Sequence, residues 1–458
     1  MHSFLANRGD GLGERLKAMV NAMGLAEATG GTFIFHWSPM PERLRGGHAI
    51  LDAQDTFSDA FLQRHFVQKS FVRKARVIGL SEYDSLLSRD ALDASRFDAV
   101  LVNQSVLKRQ APFLFDSLAQ GIDFGQVFGR IEFSAAAEVA RNAAGNVQLD
   151  GNPVAIHLRA GDIIFGKYRM TDRYNGKVVS VPVAEELIRS ALGTGSSVIV
   201  FGQDEKVIGY LQRRYGVLSA PAIRRACGFT ELQDAVFDIC LMSRCTEIFA
   251  GSSGFAGIAS WVGGRNVTVP RRAMDPAAAV VAISEFLADR RAARSLDPLH
   301  FAFACRTGCL LANATVPTSE PFLSFMEAAS RYDPDNDFYV VVRACSHYEL
   351  GNSAEAERIL AEVLGREGLK QRPIAFTLTG RPPVPGELFV GELRATIDKH
   401  ARCGHPMAAL CAAICSHALG EFAMAESFVK AAEKSLPSDR RGVFDNVCSA
   451  FGLSTRST

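Results

Sequence analysis

Twice along this chain, short apolar runs of strand type alternate with stretches of helical periodicity, and this alternation restricts the fold more than any other feature. In residues 13–30 (GERLKAMVNAMGLAEATG), Leu16, Met19, Val20, Met23 and Ala26 mark one face of a helix, and Gly30 offers a left-handed stop. Residues 32–37 (TFIFHW) and 98–102 read as strands. From residue 153 the pattern is cleaner. Strands fit 154–157, 198–202, 247–250 and 267–269, and helices fit 205–215, 232–243 and 255–262. Alternation of this kind predicts an α/β protein with parallel sheets covered by helices on both faces, one sheet per region. Such sheets hold ligands at the carboxyl ends of their strands, so two of them predict a cleft lined by loops.

Domain boundaries follow from where the pattern changes: 1–152, 153–292, and a helical region from 297 to 458. A length of 458 residues has room for three such units at roughly 100–200 residues each. In the last region, Tyr348, Gly351, Ala356, Leu360 and Val363 fall at tetratricopeptide-like offsets. Gly420, Ala425, Val429, Ala432 and Pro437 take up the pattern 69 residues on, about two 34-residue periods. The stretch between them, with Pro382, Pro383 and Pro385, fits the repeat poorly, and a generic helical bundle is the plainer alternative. Helical hairpins of this sort bind partners or pack on a neighbour.

Charge and cysteine content narrow the class further. With 50 Lys+Arg against 49 Asp+Glu, the net charge of +1 supplies no field for gathering polyanions, which argues against a nucleic-acid binder. Near the start, only Phe4, Leu5 and Ala6 form an apolar run, too short for a signal-peptide core, and 277–283 is too short to span a bilayer. Ten cysteines at irregular spacing read as free buried thiols, so a cytoplasmic location without a membrane span is expected. Cys403, His405, Cys411, Cys415 and His417 form one cluster. Cys411 and Cys415 share a helix face, but the spacing matches no zinc pattern, and core packing in an Ala-rich helix is favoured over a metal site.

Four segments sit where a two-sheet α/β enzyme places its chemistry. Residues 7–16 (NRGDGLGERL) form a Gly-rich turn into a helix, where Gly11 and Gly13 allow close backbone approach and free N–H groups await an anion. The dinucleotide fingerprint fails there, because Leu16 stands where its third glycine belongs. Residues 155–162 (AIHLRAGD) leave an apolar strand, with His157 and Arg159 on one side and Asp162 beyond. Arg159 suits a phosphate, and an Arg–Asp structural pair is the alternative. The loop that follows, 166–177 (GKYRMTDRYNGK), is basic and aromatic. Residues 198–204 (VIVFGQD) end in Gln203 and Asp204, where a carboxylate either bonds a nucleoside or caps the next helix. Residues 247–255 (EIFAGSSGF) bring Ser252, Ser253, Gly254 and Phe255 to a helix start, a diphosphate cradle or an ordinary Ser N-cap.

Taken together, these segments resemble the GT-B fucosyltransferases: the bacterial nodulation and α-1,6-fucosyltransferases and, more distantly, the protein O-fucosyltransferases. The likeness rests on Gly11, Gly13 and Leu16 of the first helix start, on His157, Arg159 and Asp162 of a His-x-Arg-x-x-Asp motif, on the strand ending at Asp204, and on the Ser-Ser helix start. It covers roughly residues 7–270. The resemblance implies two Rossmann-like domains facing across a cleft, GDP-fucose as donor, no metal or other cofactor, and inversion at the sugar carbon. It also implies Arg159 at the donor β-phosphate, His157 and Asp204 near the guanine nucleoside, and Ser252 and Ser253 at the diphosphate. Where the α-1,6 and nodulation enzymes carry a second motif arginine, this chain has Ala160, closer to the protein O-fucosyltransferase form. Lys167 stands at the position of a later motif glutamate.

Glycosyl transfer puts negative charge on the departing diphosphate, and fixed cations and N–H dipoles are what a metal-free site has to receive it. Arg159 is accordingly the expected catalytic cation. Asp10 or Glu14 is expected to take the acceptor proton, with Asp10 slightly preferred and Glu14 otherwise serving the helix dipole. Gly11, Gly13, Arg15, His157, Asp162, Gln203, Asp204, Ser252, Ser253, Gly254 and Phe255 are expected to line the donor. The partners expected are a nucleotide sugar, a glycan or protein acceptor, and a protein bound by the C-terminal helices. The alternatives are transfer from another GDP- or UDP-sugar, and a catalytically silent nucleotide-binding adaptor acting through its repeats.

Overall fold

A computed structural model describes residues 2–40, 50–170, 174–311, 320–366, 368–369 and 390–453. Pro382, Pro383 and Pro385, and residues 171–173 of the basic loop, lie outside the described residues. By density of contact the chain divides into two units: Met1–Arg159 with Leu187–Pro270, and Ala160–Glu186 with Arg271–Thr458. These boundaries differ from those expected at 152 and 292. Both sheets fall in the first unit, and the segment after Arg159 is counted with the C-terminal helices.

The first unit contains two all-parallel sheets. One is ordered β2-β1-β4-β3, from β1 (Ser3–Asn7), β2 (Thr32–His36), β3 (Val77–Gly79) and β4 (Ala99–Val102). The other is ordered β7-β6-β5-β8-β9, from β5 (Pro153–Leu158), β6 (Ser197–Gly202), β7 (Leu218–Ser219), β8 (Glu247–Ala250) and β9 (Val267–Thr268). Every residue of β5 is buried, as befits a central parallel strand covered on both faces. Phe4, Leu5 and Ala6, too short a run to single out as a strand, lie in β1 between β2 and β4. The short strands β3 and β7 also carry too few residues to show a period.

Helices of the first unit follow the apolar stripes. They include α1 (Leu12–Thr29), α2 (Ala135–Asn146), α3 (Glu205–Tyr215), α4 (Glu231–Ser243) and α5 (Gly254–Val262). Helix α1 stops at Gly30, whose φ of 67° is the left-handed conformation expected of it. Phe35 and Phe57 meet edge to face at 5.1 Å in the aromatic core beside the first sheet.

Described elements of the second unit are helical. They include α6 (Pro276–Ala288), α7 (Pro298–Leu311), α8 (Glu320–Tyr332), α9 (Asp337–Glu349), α10 (Ser353–Leu364), α11 (Val390–Arg402), α12 (Pro406–Ala418), α13 (Phe422–Ser435) and α14 (Arg441–Phe451). Two hairpins, α9–α10 and α12–α13, turn at Gly351 and Gly420, with φ of 77° and 81°. A buried carboxylate joins them: Glu357 of α10 accepts from the Met407 and Ala408 N–H groups of α12 at 3.0 and 3.1 Å, and from the Tyr348 hydroxyl. Residues 160–186 pack within this unit as well. Ile163 and Ile164 share an apolar cluster with Phe303 of α7, and Arg169 pairs with Asp333 at 3.3 Å. The Arg169 carbonyl accepts from Arg306 at 2.9 Å and from Asn336 at 3.0 Å.

Candidate functional site

The strand order of the second sheet defines the site. From central β5 the chain runs out through β6 and β7, then returns to the other side of β5 with β8 and β9. Successive connections therefore diverge at the carboxyl ends of β5 and β8, leaving the crevice where open α/β sheets take their ligands. His157 ends the stretch of β5 that pairs with β8, level with Ala250, and Arg159 follows the strand, partly exposed. On the β8 side come Gly251, Ser252 and Ser253 and then α5. The His157 ring stacks on Phe255 of α5 at 5.5 Å, so two separately expected residues meet.

Ser253 departs from the bland expectation. It occupies the N-cap position of α5 but makes no side-chain cap, and its hydroxyl is buried without a hydrogen-bond partner. Its N–H is drawn onto the Gly251 carbonyl at 2.6 Å in a tight turn. Ser252 beside it is exposed. A buried, uncommitted hydroxyl at a helix start is costly unless something polar occupies the site. Asp204 behaves oppositely. Its carboxylate caps α3, accepting from the Lys206 and Val207 N–H groups at 3.1 and 3.2 Å. Gln203 beside it is exposed. Gly202 is required there by close approach, because a Cβ would stand 2.7 Å from the Leu158 carbonyl oxygen.

The first glycine turn meets the same corner. A Cβ on Gly13 would lie 2.6 Å from the Gly254 carbonyl and the Phe255 nitrogen, so α1 and α5 cross backbone against backbone at their first residues. The Glu14 carboxylate rests against Gly254, with Oε2 3.9 Å from the Lys17 ammonium. Lys17 lies 4.6 Å over the Trp261 ring, and burial lowers its pKa against the pull of Glu14. Asp10 is held by Arg8 through both carboxylate oxygens. The Arg15 guanidinium is buried. It donates to the Asp10 carbonyl at 2.6 Å and the Ser38 carbonyl at 2.8 Å, and stacks over Trp37. In these bonds Arg15 shapes the glycine turn from behind. A shallow depression lies beside Leu12, lined by Trp37, Thr56, Leu232 and Ala235.

The structure thus brings Gly13, Glu14, Ser253, Gly254, Phe255 and His157 into one corner of the first unit. Asp162, in the short helix Gly161–Ile164, belongs to the second unit. Lys17, Trp261, His36 and Ser38 are not singled out by the sequence. Lys17 carries a signal, one turn beyond Glu14 on the same helix face. In the second unit, Cys411 and Cys415 are buried in α12 and burial pushes both thiols up. Among the described residues, no group of three or more His, Cys, Asp or Glu is placed to hold a metal ion, and no helix is long and apolar enough to cross a membrane.

No family model matches the chain, and no curated protein sequence matches it. Among solved structures it is similar to the fucosyltransferase NodZ from Bradyrhizobium, at 13% identity and a TM-score of 0.36 over 56% of this chain and 91% of that one. NodZ α-1,6-fucosyltransferase soaked with GDP-fucose is similar at 13% identity and a TM-score of 0.33, over 57% and 92%. POFUT1 in complex with GDP is similar at 13% identity and a TM-score of 0.31, over 57% and 94%. Scores of this size describe a distant likeness, and the functional reading rests on the residues.

Proposed function

We propose that this protein is a metal-independent, inverting glycosyltransferase that takes a nucleoside-diphosphate sugar at the β5/β8 crevice, with GDP-fucose as the donor. The observation that carries the reading is the buried Ser253 hydroxyl without a hydrogen-bond partner at an uncapped helix start, one strand away from Arg159. Arg159 and the free N–H groups of α5 receive the charge that grows on the departing diphosphate, and because they are fixed in advance they need no reorganisation as the bond breaks. His157 and Phe255 form a stacked wall beside them. Fucose and guanine follow from the His-x-Arg-x-x-Asp resemblance. A glycan or protein hydroxyl is the acceptor.

The test is GDP release from GDP-fucose with water as acceptor, together with the rise in melting temperature caused by GDP or by UDP. Arg159→Ala is expected to lower release by about 10²-fold or more, the usual weight of one fixed donor to a developing anion. The variant should still fold, as a cooperative melting transition without nucleotide will show. Release within a few-fold of the parent would refute the assignment, and stabilisation by UDP but not GDP would replace the donor.

A further inference from the structure

We infer that His36 and Ser38 are the proton-accepting pair of this transfer, with Ser38 meeting the acceptor hydroxyl and His36 holding the proton. The inference rests on the glycosyl-transfer reading above. His36 ends β2, directly opposite Asn7 of β1, so it stands at the carboxyl edge of the first sheet beside the glycine turn. Its Nδ1 lies 3.0 Å from the Val67 carbonyl oxygen and its Nε2 2.9 Å from Ser38 Oγ. A carbonyl only accepts, so in the neutral ring Nδ1 carries the hydrogen and Nε2 keeps its lone pair. Ser38 then donates its hydroxyl hydrogen to Nε2. A base paired with a hydroxyl and oriented through its other nitrogen is the arrangement that proton transfer needs.

The orienting carbonyl is itself fixed. The Val67 N–H donates to the Phe35 carbonyl at 2.8 Å, Phe35 and Phe66 form a parallel bridge, and the Phe66 ring lies along His36. Ser38 is tied to the site from the other side, since its carbonyl accepts from Arg15, which also grips Asp10. Both His36 and Ser38 are half-buried, open enough to meet a substrate. Of the two carboxylates of the turn, Asp10 is held by Arg8 through both oxygens, whereas Glu14 Oε2 is buried without a hydrogen-bond partner, 3.9 Å from the Lys17 ammonium.

The step balances. The acceptor oxygen forms a bond to the anomeric carbon, and the bond from that carbon to the diphosphate breaks, its electron pair leaving with GDP. The acceptor proton passes to Ser38 Oγ as the Ser38 hydrogen passes to His36 Nε2. Serine is regenerated neutral, and an imidazolium remains with Nδ1–H on Val67.

The experiment follows GDP release from GDP-fucose across pH for the parent, His36→Gln and Ser38→Ala. His36→Gln is expected to lower kcat by about 10²-fold, the usual weight of a positioned base, with KM and the GDP-induced melting shift unchanged. Ser38→Ala should likewise lose kcat and keep the shift. Turnover in both variants within about twofold of the parent, with its pH profile intact, overturns the pair. A parent that neither releases GDP nor is stabilised by it removes the donor reading instead. The pair then stands on the ¹⁵N resonances of His36: hydrogen on Nδ1 supports it, and hydrogen on Nε2 overturns it.

Discussion

Glu14 and Ser253 stand together at the start of α5, the one beside Gly254 and the other at the N-cap position. Glu14 lies against the first residue of α5, where a carboxylate is favoured by the helix dipole and where a diphosphate would also be drawn. On the proposed reading the two anions would compete for one positive pole. Glu14→Gln is therefore expected to tighten GDP binding about two- to fivefold, the weight of one charge at a helix end, as read by calorimetric titration. Turnover should remain within about tenfold. A loss of about 10²-fold would instead make Glu14 the base. Asp204 shows the opposite use of a carboxylate, its Oδ1 taken up in capping α3.

Between elements, the crossing of α1 and α5 decides the geometry of the corner. Helices approach this closely only where neither carries a side chain, and Gly13 meets the Gly254–Phe255 peptide directly. Gly13→Ala would place a carbon 2.6 Å from backbone atoms that cannot rotate away, so the helices must separate. We expect a loss of about 1–3 kcal/mol in unfolding free energy by denaturant titration, the usual range for overpacking. GDP binding should weaken as well, because Ser253 and the α5 start shift with the crossing. A variant as stable as the parent would show that the crossing tolerates a methyl group.

Across the whole molecule, the C-terminal helices do more than extend the chain. Residues 160–186, which directly follow Arg159, pack within the unit that those helices build. A chain ending at residue 296 would strip Ile163 and Ile164 of Phe303, and Arg169 of Asp333, Arg306 and Asn336. Such a chain is expected to be cleaved rapidly within residues 160–186 in limited proteolysis, and to lose its response to GDP. If the helices are a detachable partner-binding module, the shortened chain should instead keep the parent's melting temperature and nucleotide response.

Most elements with a full period are legible in the order of residues alone: α1, α3, α4, α5, β2, β5, β6 and β8 all lie within a residue or two of their expected bounds. Local chemistry suffices there, because a stripe of apolar residues or a run of buried ones reflects the chain's own geometry. His157, Arg159 and the Ser-Ser turn are legible in the same way, since a strand end followed by a helix start is itself a local pattern. What local pattern leaves open depends on neighbours far along the chain. Phe4, Leu5 and Ala6 become a central strand because β2 and β4 flank them. Ser253 is left without a cap by its turn onto Gly251, and Arg15 turns inward to two carbonyls. His36 gains its tautomer from a carbonyl 31 residues away. Hydrogen-bond partners and backbone collisions between distant segments are properties of the fold, so they exist only once the chain has closed on itself.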